Sequence, residues 1–229
     1  MSLETQGTVG IKQTTQQQHE HNNTNNTNNN IMVHYNFIEI GTSNFSTEIQ
    51  KSCLGKRGLS VDALQHYLDD LPNPEGVEKY CAIISDEDKP SGAFWGVSLE
   101  NIKKYGLPTW ARGCNNYGDK PHRTISRILT KKGLDPNSIF TRSEVEVISF
   151  SKLISDRSVT ECDYLKVDTE GHDTFIIKNM LKTDLRPKEV EYENNCLTPA
   201  KLRRECKELM IKAGYRVVFE KSTNIRFIM

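Results

Sequence analysis

The sequence predicts an α/β fold in which most strands of one sheet are parallel and the last two form an antiparallel hairpin. Strand patterns and helix patterns alternate along most of the chain, which is typical of a parallel sheet. The last two strand patterns are separated only by a short turn at Lys221 and Ser222, and so short a turn joins antiparallel strands. The 229 residues, 36% of them hydrophobic, are enough for one domain and a tail.

Strands are predicted where β-branched and aromatic residues cluster between turn-forming residues. In chain order the predicted strands are Val33 to Ile40, Gly58 to Asp62, Val77 to Ser85, Tyr164 to Asp168, Glu189 to Glu193, Tyr215 to Glu220 and Thr223 to Ile228.

Helices are predicted between these strands from their start and stop signals. The first three are Phe45 to Leu54, Ala63 to Leu71 and Asp173 to Lys182. The second ends because Pro72 cannot continue a helix. For the last helix, Thr198 is a favourable N-cap, Pro199 suits the first helical position and Gly214 ends the helix.

Composition divides the chain into three regions. Residues 1–31 are rich in Gln, Thr and Asn and offer little to bury, so we expect a disordered tail, with a self-associating polar tract as the alternative. Residues 32–229 are expected to form the folded domain. Within it, residues 87–143 break the alternation, and we expect an insertion over the sheet edge between the third and fourth core strands.

Charge and hydropathy exclude several classes of protein. The 30 basic and 30 acidic residues cancel, whereas a general nucleic-acid binder carries a basic excess. No apolar run reaches the ~18 residues of a membrane helix, and the N-terminus lacks a signal-peptide pattern. The six cysteines show no C-x-x-C pair, so we expect reduced thiols. These observations predict a cytoplasmic protein without a membrane or nucleic-acid partner.

The residues that follow the first two strands suit a nucleoside ligand. In an open α/β sheet, ligands bind beyond the carboxyl ends of the strands. Gly41 follows the first strand and would let the backbone approach a ligand, although a plain tight turn is the alternative. Asp62 ends the second strand about 20 residues on, where an acidic side chain can accept hydrogen bonds from ribose hydroxyls or cap the next helix.

The fourth predicted strand carries charges that a central strand normally lacks. Alternation places Lys166 and Asp168 on one face of this strand, and the next strand has carboxylates at Glu191 and Glu193. Because unpaired buried charges are costly, we expect Lys166 to pair with Glu191 or Glu193. Asp168 and Glu170 would then face the ligand; two solvated edge strands are the alternative.

Five segments in this order resemble the FkbM-type methyltransferases, over about residues 36–229. They read FIEIGTSNFST, GLSVDALQHYLDDLP, AIISD, DYLKVDTEGHD and EYENNCLTP, and the insertion adds PTWARGCNNYGDKPH. The resemblance implies a Rossmann-like class I methyltransferase sheet and S-adenosylmethionine as cofactor. It also implies methyl transfer to a hydroxyl of a small molecule or sugar.

The resemblance also assigns residues. The cofactor-binding residues that it implies are Glu39, Gly41, Thr42, Ser43, Asp62, Ile84, Ser85 and Asp168. Its Lys-x-Asp-x-Glu-Gly signature is matched by Lys166, Asp168, Glu170 and Gly171 and implies a catalytic end of the pocket. The chain departs from the family pattern in the first loop, at Ser43, Asn44 and Phe45.

An alcohol acceptor must lose its proton during transfer, and a carboxylate or histidine at a strand end can accept it. We expect Asp168 to act as the base, with Glu170 or His172 as substitutes and Lys166 beside them. An alternative places a hard cation such as Mg²⁺ on the oxygen ligands of Asp168, Glu193 and Asn194.

Acceptor binding is expected from the insertion, because class I methyltransferases usually build acceptor specificity there. Arg112, Asn115 and His122 are the predicted substrate-binding residues, and a compact surface loop is the alternative. Two other functions stay open: a binding module that keeps the fold without catalysis, and an NAD-type oxidoreductase. The missing G-x-G-x-x-G motif disfavours the oxidoreductase.

Overall fold

A mostly parallel seven-stranded sheet forms the centre of the protein. The computed structural model describes residues 32–44, 46–51, 56–221 and 223–229. The strands of this sheet are β1 (Val33–Ile40), β2 (Gly58–Asp62), β3 (Val77–Cys81), β8 (Val159–Val167), β9 (Glu189–Glu193), β10 (Arg216–Glu220) and β11 (Asn224–Ile228). Their order is β10-β11-β9-β8-β1-β2-β3, and β11 is antiparallel to both of its neighbours. The predicted parallel sheet with an antiparallel terminal hairpin is confirmed.

A second, four-stranded sheet forms between β3 and β8. Its strands are β4 (Ile83–Ser85), β5 (Lys89–Gly96), β6 (Asn116–Tyr117) and β7 (Thr141–Ser149), in the order β4-β7-β5-β6. The prediction of one strand from Val77 to Ser85 is therefore wrong, because β3 ends at Cys81 and the chain pairs from Ile83 onward with β7 of the second sheet. The predicted insertion, residues 87–143, contains β5, β6 and an apolar core that includes Trp95, Ile125 and Phe140. β4 and most of β7 lie outside its predicted bounds.

Seven α-helices lie within the described residues. They are α1 (Glu48–Lys51), α2 (Gln65–Asp70), α3 (Leu99–Lys104), α4 (Arg123–Lys131), α5 (Phe150–Asp156), α6 (Asp173–Met180) and α7 (Ala200–Lys212). No helix among the described residues is long and apolar enough to cross a membrane. The predicted tail, residues 1–31, and the predicted helical residues 45 and 52–54 lie outside the part of the chain that the structure describes.

The start of α7 differs from the prediction. Thr198 does not cap the helix, since Pro199 occupies the N-cap position and makes no side-chain capping bond. The Thr198 hydroxyl donates instead to the carbonyl of Gly171 (3.3 Å). This bond fixes the loop after β8 to the loop after β9.

Paired residues of neighbouring strands form an apolar row across the sheet. The row runs through Leu59, Ile38, Leu165, Val190 and Phe227, in register from β2 to β11, and all five side chains are fully buried. Each such side chain stabilises the fold by about 1.5–3 kcal/mol through removal of apolar surface from water. The row fixes the register of the strands and hence the positions of the residues that follow them.

The strand order reverses between β1 and β8. From β1 the chain builds β2 and β3 on one side, and it returns through the second sheet to add β8 on the other side. The chain continues from β1 to β2 and from β8 to β9, in opposite directions across the sheet, and the crevice at such a reversal is where open α/β sheets bind ligands.

Candidate functional site

A cavity opens at the carboxyl ends of β1 and β8, where the strand order reverses. It contains about 550 Å³ of space between atoms, part of which is open solvent. Residues from both sheets line it: Ile40, Gly41, Ser43, Asp62, Ala63, Ala82, Ile83, Ile84, Phe94, Gly113, Asn115, Tyr117, Asp168, Thr169, Glu170 and His172. The structure thus brings together most of the predicted site residues at one place.

Gly41 joins the ends of β1 and β8. Its φ angle is +79°, and a Cβ atom built on it would lie 1.8 Å from the carbonyl oxygen of Asp168. The Asp168 N–H donates to the Ile40 carbonyl (2.9 Å), and the Gly41 N–H donates to the Val61 carbonyl (2.9 Å). The absence of a side chain at Gly41 therefore allows the two loops that border the cavity to meet.

Asp62 both orders the neighbouring loops and faces the cavity. Its Oδ2 accepts a hydrogen bond from the N–H of Ser43 (2.8 Å), and its Oδ1 accepts one from the N–H of Leu64 (2.8 Å), just before α2. Burial raises the pKa of Asp62 to about 6, although these backbone donors oppose the shift. Because each carboxylate oxygen has a second lone pair, Asp62 can accept further bonds from a ligand.

The other predicted cofactor-binding residues fall into two groups. Ser43 and Ile84 line the cavity. Glu39, Thr42 and Ser85 are buried and do not belong to its lining. Ser85 acts indirectly, because its hydroxyl lies 3.0 Å from Nε2 of His172 and helps to orient that ring.

A row of alternating charges, adjacent to the apolar row, explains the polar residues of the central strands. Glu39, Lys166, Glu191 and Arg226 are paired in register across β1, β8, β9 and β11. Lys166 Nζ lies 2.7 Å from Glu39 Oε1, and Arg226 Nε donates to Glu191 Oε2 (2.7 Å). The predicted pairing of Lys166 with Glu191 or Glu193 is therefore wrong, since Arg226 already neutralises Glu191. Solvated edge strands are also excluded, because β8 and β9 each have two neighbours.

Both carboxylate oxygens of Glu39 have partners within the fold. Its Oε2 accepts a hydrogen bond from the N–H of Glu48 (2.9 Å) at the start of α1, and its Oε1 binds Lys166. Burial raises the pKa of Glu39, while the ammonium group of Lys166 lowers it. Glu39 and Lys166 therefore position the first loop and the end of β8.

Breaking this ion pair is expected to destabilise the protein strongly. In Lys166→Met the Glu39 carboxylate, whose side chain is 0% exposed, would lose its counterion, which typically costs about 3–5 kcal/mol. The matched control is Lys188→Met, because Lys188 also lies 2.7 Å from a carboxylate, that of Asp163, but is 73% exposed. Urea denaturation should show a large loss for the first variant and little change for the second. Equal losses would contradict the assignment.

Three carboxylates converge at the ends of β8 and β9. Oxygen atoms of Asp168, Glu170 and Glu193 all lie within 4.8 Å of one another. Burial raises the pKa of Asp168 to about 6, with Lys166 opposing the shift. Burial, then Glu170 and Asp168, raise the pKa of Glu193 to about 10. Two of the predicted cation ligands, Asp168 and Glu193, are thus brought together, and Glu170 lies with them.

The loop that carries these carboxylates is held by a fourth, Asp173. This side chain is fully buried and accepts hydrogen bonds from the N–H groups of Thr169 (3.3 Å), Gly171 (3.2 Å) and Glu193 (3.4 Å). Burial and the charge of Asp168 raise its pKa to about 7. Asp173 therefore fixes the loop that carries Glu170 to the end of β9, where Glu193 lies.

The raised pKa of Glu193 predicts a pH dependence of stability. A carboxyl group whose pKa is higher in the folded than in the unfolded state binds more protons when folded, so folding weakens as pH rises between the two pKa values. For Glu193 that window runs from about 4.5 to about 10. Glu193→Gln should therefore be at least about 1 kcal/mol more stable than the wild type at pH 8, and closer to it at pH 5. Urea midpoints at both pH values measure this; a variant that is less stable at pH 8 would contradict it.

His172 forms part of the cavity wall. Its ring stacks on Phe175 (4.8 Å between centroids) and meets the edge of Tyr117 (5.3 Å). Burial lowers the pKa of His172, so the ring is neutral at pH 7. The predicted base substitute is thus present at the cavity, held by two aromatic rings and Ser85.

The insertion contributes one side of the cavity. Asn115 lines it, as predicted, whereas Arg112 presents its backbone carbonyl to the Tyr67 hydroxyl and to Asn115 Nδ2 (3.0 Å). His122 lies in an adjoining groove, 3.4 Å from Glu170 Oε2. Phe94 and Tyr117 were not predicted. Tyr117 belongs to the segment that resembles the family, but no signal in the sequence marks Phe94.

The five cysteines among the described residues are free, as expected; Cys53 lies outside that part of the chain. Cys114 and His122 nevertheless approach Glu170 closely, with one ligand atom of each within 4.8 Å of the others.

Comparison with known proteins assigns neither a family nor a function to the chain. No protein-family model matches the chain, and no curated protein matches it. The geometry of the site is therefore what bears on function.

Proposed function

We propose that the protein is an S-adenosylmethionine-dependent methyltransferase that methylates a hydroxyl group of a small molecule or sugar. The observation that carries this proposal is the cavity at the strand-order reversal, where the close turn at Gly41 and the buried carboxylate of Asp62 face one space. A glycine turn and an acidic residue at the next strand end suit a nucleoside ligand. The seven-stranded, mostly parallel sheet with its antiparallel hairpin is also the sheet that the family resemblance implies.

The residues that line the cavity would bind the cofactor at one end and the methyl acceptor at the other. Asp62 would accept hydrogen bonds from ribose hydroxyls, and the apolar side chains of Ile83 and Ile84 would flank the adenine ring. Gly41 and Ser43 would border the amino-acid portion of the cofactor. S-Adenosylmethionine supplies an electrophilic methyl group, so the protein has to align the acceptor and exclude water.

The acceptor end would lie at the carboxylates after β8. Asp168 is the proposed base, since its pKa of about 6 leaves it mostly ionised at pH 7 and still able to accept a proton. Glu170 and His172 also line the cavity and are the substitutes. Asn115, Phe94 and Tyr117 would enclose the acceptor from the second sheet and limit access of water.

Thermal stabilisation of the full chain by S-adenosylhomocysteine tests the cofactor site. At a ligand concentration near 100 times Kd, the free energy of unfolding should rise by about 2.7 kcal/mol. Asp62→Asn should reduce the stabilisation, because it replaces an acceptor oxygen with a donor. Asp69→Asn is the matched control, since Asp69 is an exposed residue of α2 outside the cavity lining.

Each other function gives a different result. An NAD-type oxidoreductase would be stabilised by NAD and not by S-adenosylhomocysteine. A binding module, which the departures at Ser43 and Asn44 favour, would bind the cofactor weakly or not at all and transfer no methyl group. No stabilisation at millimolar S-adenosylhomocysteine would contradict the methyltransferase proposal.

A further inference from the structure

Three side chains of metal-binding type meet beside the cavity, from parts of the chain that are distant in sequence. Cys114 follows the short 3₁₀ helix Thr109–Gly113, His122 precedes α4, and Glu170 lies in the loop after β8. The thiol sulfur, an imidazole nitrogen and a carboxylate oxygen of these residues all lie within 4.8 Å of one another. The fold of the second sheet against the first brings them together.

His122 lacks the partners that a buried histidine needs. Its side chain is only 4% exposed, and neither ring nitrogen has a hydrogen-bond partner among the residues that the structure describes. Nε2 lies 3.4 Å from Glu170 Oε2, but the geometry is not that of a hydrogen bond. A buried polar group without a partner costs about 1–3 kcal/mol, so an additional ligand that satisfies the ring would be stabilising.

The surroundings of this group favour a cation. Asp168 and Glu193 lie next to Glu170, with oxygen atoms within 4.8 Å of it. Lys166 is the basic residue nearest to Glu170 in sequence, but its ammonium group is paired with Glu39 on β1. Three carboxyl groups so close together repel one another when they are ionised, and a cation bound beside them would relieve that repulsion.

We propose that Cys114, His122 and Glu170 form a binding site for a divalent transition-metal ion of the zinc type. Thiolate, imidazole and carboxylate are the ligands that zinc takes in proteins, whereas Mg²⁺ and Ca²⁺ take oxygen ligands. Bond lengths of about 2.0–2.3 Å place tetrahedral ligands ~3.5 Å apart. His122 Nε2 and Glu170 Oε2 already lie 3.4 Å apart, and no two of the three ligand atoms are more than 4.8 Å apart.

The fourth position of a tetrahedral ion would be filled by Glu193 or by water. Glu193 Oε2 is buried and has no hydrogen-bond partner within the described part of the chain. Glu170 borders both the cavity and the groove that contains His122, so the ion would lie between these two spaces. This site does not depend on methyl transfer and can be tested without an acceptor.

Cobalt titration of the chelator-treated full chain tests the site. Co²⁺ substitutes for zinc and gives an absorption band from thiolate-to-metal charge transfer when a cysteine binds it. We expect one Co²⁺ per chain, displacement by Zn²⁺, and the charge-transfer band. Cys114→Ala should abolish the band and weaken Zn²⁺ binding at least about 100-fold, whereas Glu170→Gln should keep the band and weaken binding at least about tenfold.

Matched variants exclude other cysteines. Cys162→Ala removes an equally buried thiol in β8, and Cys196→Ala removes an exposed thiol that lines the groove near His122. Both should retain the band. If Cys114→Ala does not fold, as judged by circular dichroism, Glu170→Gln decides alone, because Glu170 is 20% exposed and its replacement keeps the side-chain size. No Co²⁺ binding, binding of Mg²⁺ in preference to Zn²⁺, or a band lost only in Cys196→Ala would overturn the proposal.

Discussion

Gly41→Ala is expected to destabilise the fold by at least about 5 kcal/mol, which equals the whole free energy of unfolding of a marginally stable domain. The added Cβ would lie 1.8 Å from the Asp168 carbonyl oxygen, a backbone atom that cannot turn away as a side chain could. Relief of this overlap requires separation of β1 from β8 and loss of the hydrogen bond from the Asp168 N–H to Ile40. Because β1 and β8 are central strands of the sheet, their separation would disrupt the pairing of the whole sheet.

Gly133→Ala is a control that separates the steric overlap of the added Cβ from the strain of a positive φ angle. Gly133 has a φ angle of +73°, close to the +79° of Gly41, but its added Cβ would meet no atom within 4 Å. This variant should lose only the roughly 1–2 kcal/mol of a left-handed residue with a side chain. Chemical denaturation followed by circular dichroism measures both. Similar losses in the two variants would show that the contact with Asp168 does not govern the effect.

Local sequence patterns were sufficient for the strands that build the first sheet. Val33–Ile40, Gly58–Asp62 and Glu189–Glu193 have the predicted bounds, because turn residues and charge mark both ends. The terminal hairpin also follows from a local feature, the short turn at Lys221. The fourth strand was predicted too short: β8 begins at Val159, where pairing with Val33 of β1 extends it beyond its own apolar pattern.

Features that depend on register and strand order could not be predicted. One such feature is the ion-pair partner of Lys166. Glu39 and Glu191 flank Lys166 on the two neighbouring strands, and the position of Arg226 on β11 decides which of them is free to pair with it. The second sheet is another, since β5 and β7 pair across about 50 residues of irregular pattern. Such pairings are set by tertiary contacts, which local propensity does not encode.

The candidate site was predictable where it is built from strand ends. Gly41, Asp62 and Asp168 follow three neighbouring strands, and the rule that ligands bind beyond the carboxyl ends brings them together. The side of the cavity that the second sheet forms could not be predicted. Phe94 lies within β5 and faces the cavity only because the second sheet packs there. The closeness of Cys114 to His122 and Glu170 likewise depends on that packing.

Asp168→Asn is expected to lower methyl-transfer turnover at least about tenfold, since a positioned base typically contributes ~10²–10⁴. The asparagine side chain keeps the size of Asp168 but cannot accept the acceptor's proton. Because burial raises the pKa of Asp168 to about 6, the base form increases as pH rises, and turnover of the wild type should rise between pH 5 and pH 7. This rise should be absent in the variant.

The measurement is release of S-adenosylhomocysteine with whichever hydroxylated compound a panel of sugars and small alcohols shows to be an acceptor. Asp163→Asn is the matched control, because Asp163 lies in β8, the strand that Asp168 follows, is bound to Lys188 at the surface and lines no part of the cavity. Thermal stabilisation by S-adenosylhomocysteine should persist in Asp168→Asn, which separates loss of proton transfer from loss of cofactor. Unchanged turnover in Asp168→Asn would remove it as the base. In that case Glu170→Gln and His172→Asn, compared at pH 7, would decide which of the two remaining cavity residues accepts the proton, because both face the same space.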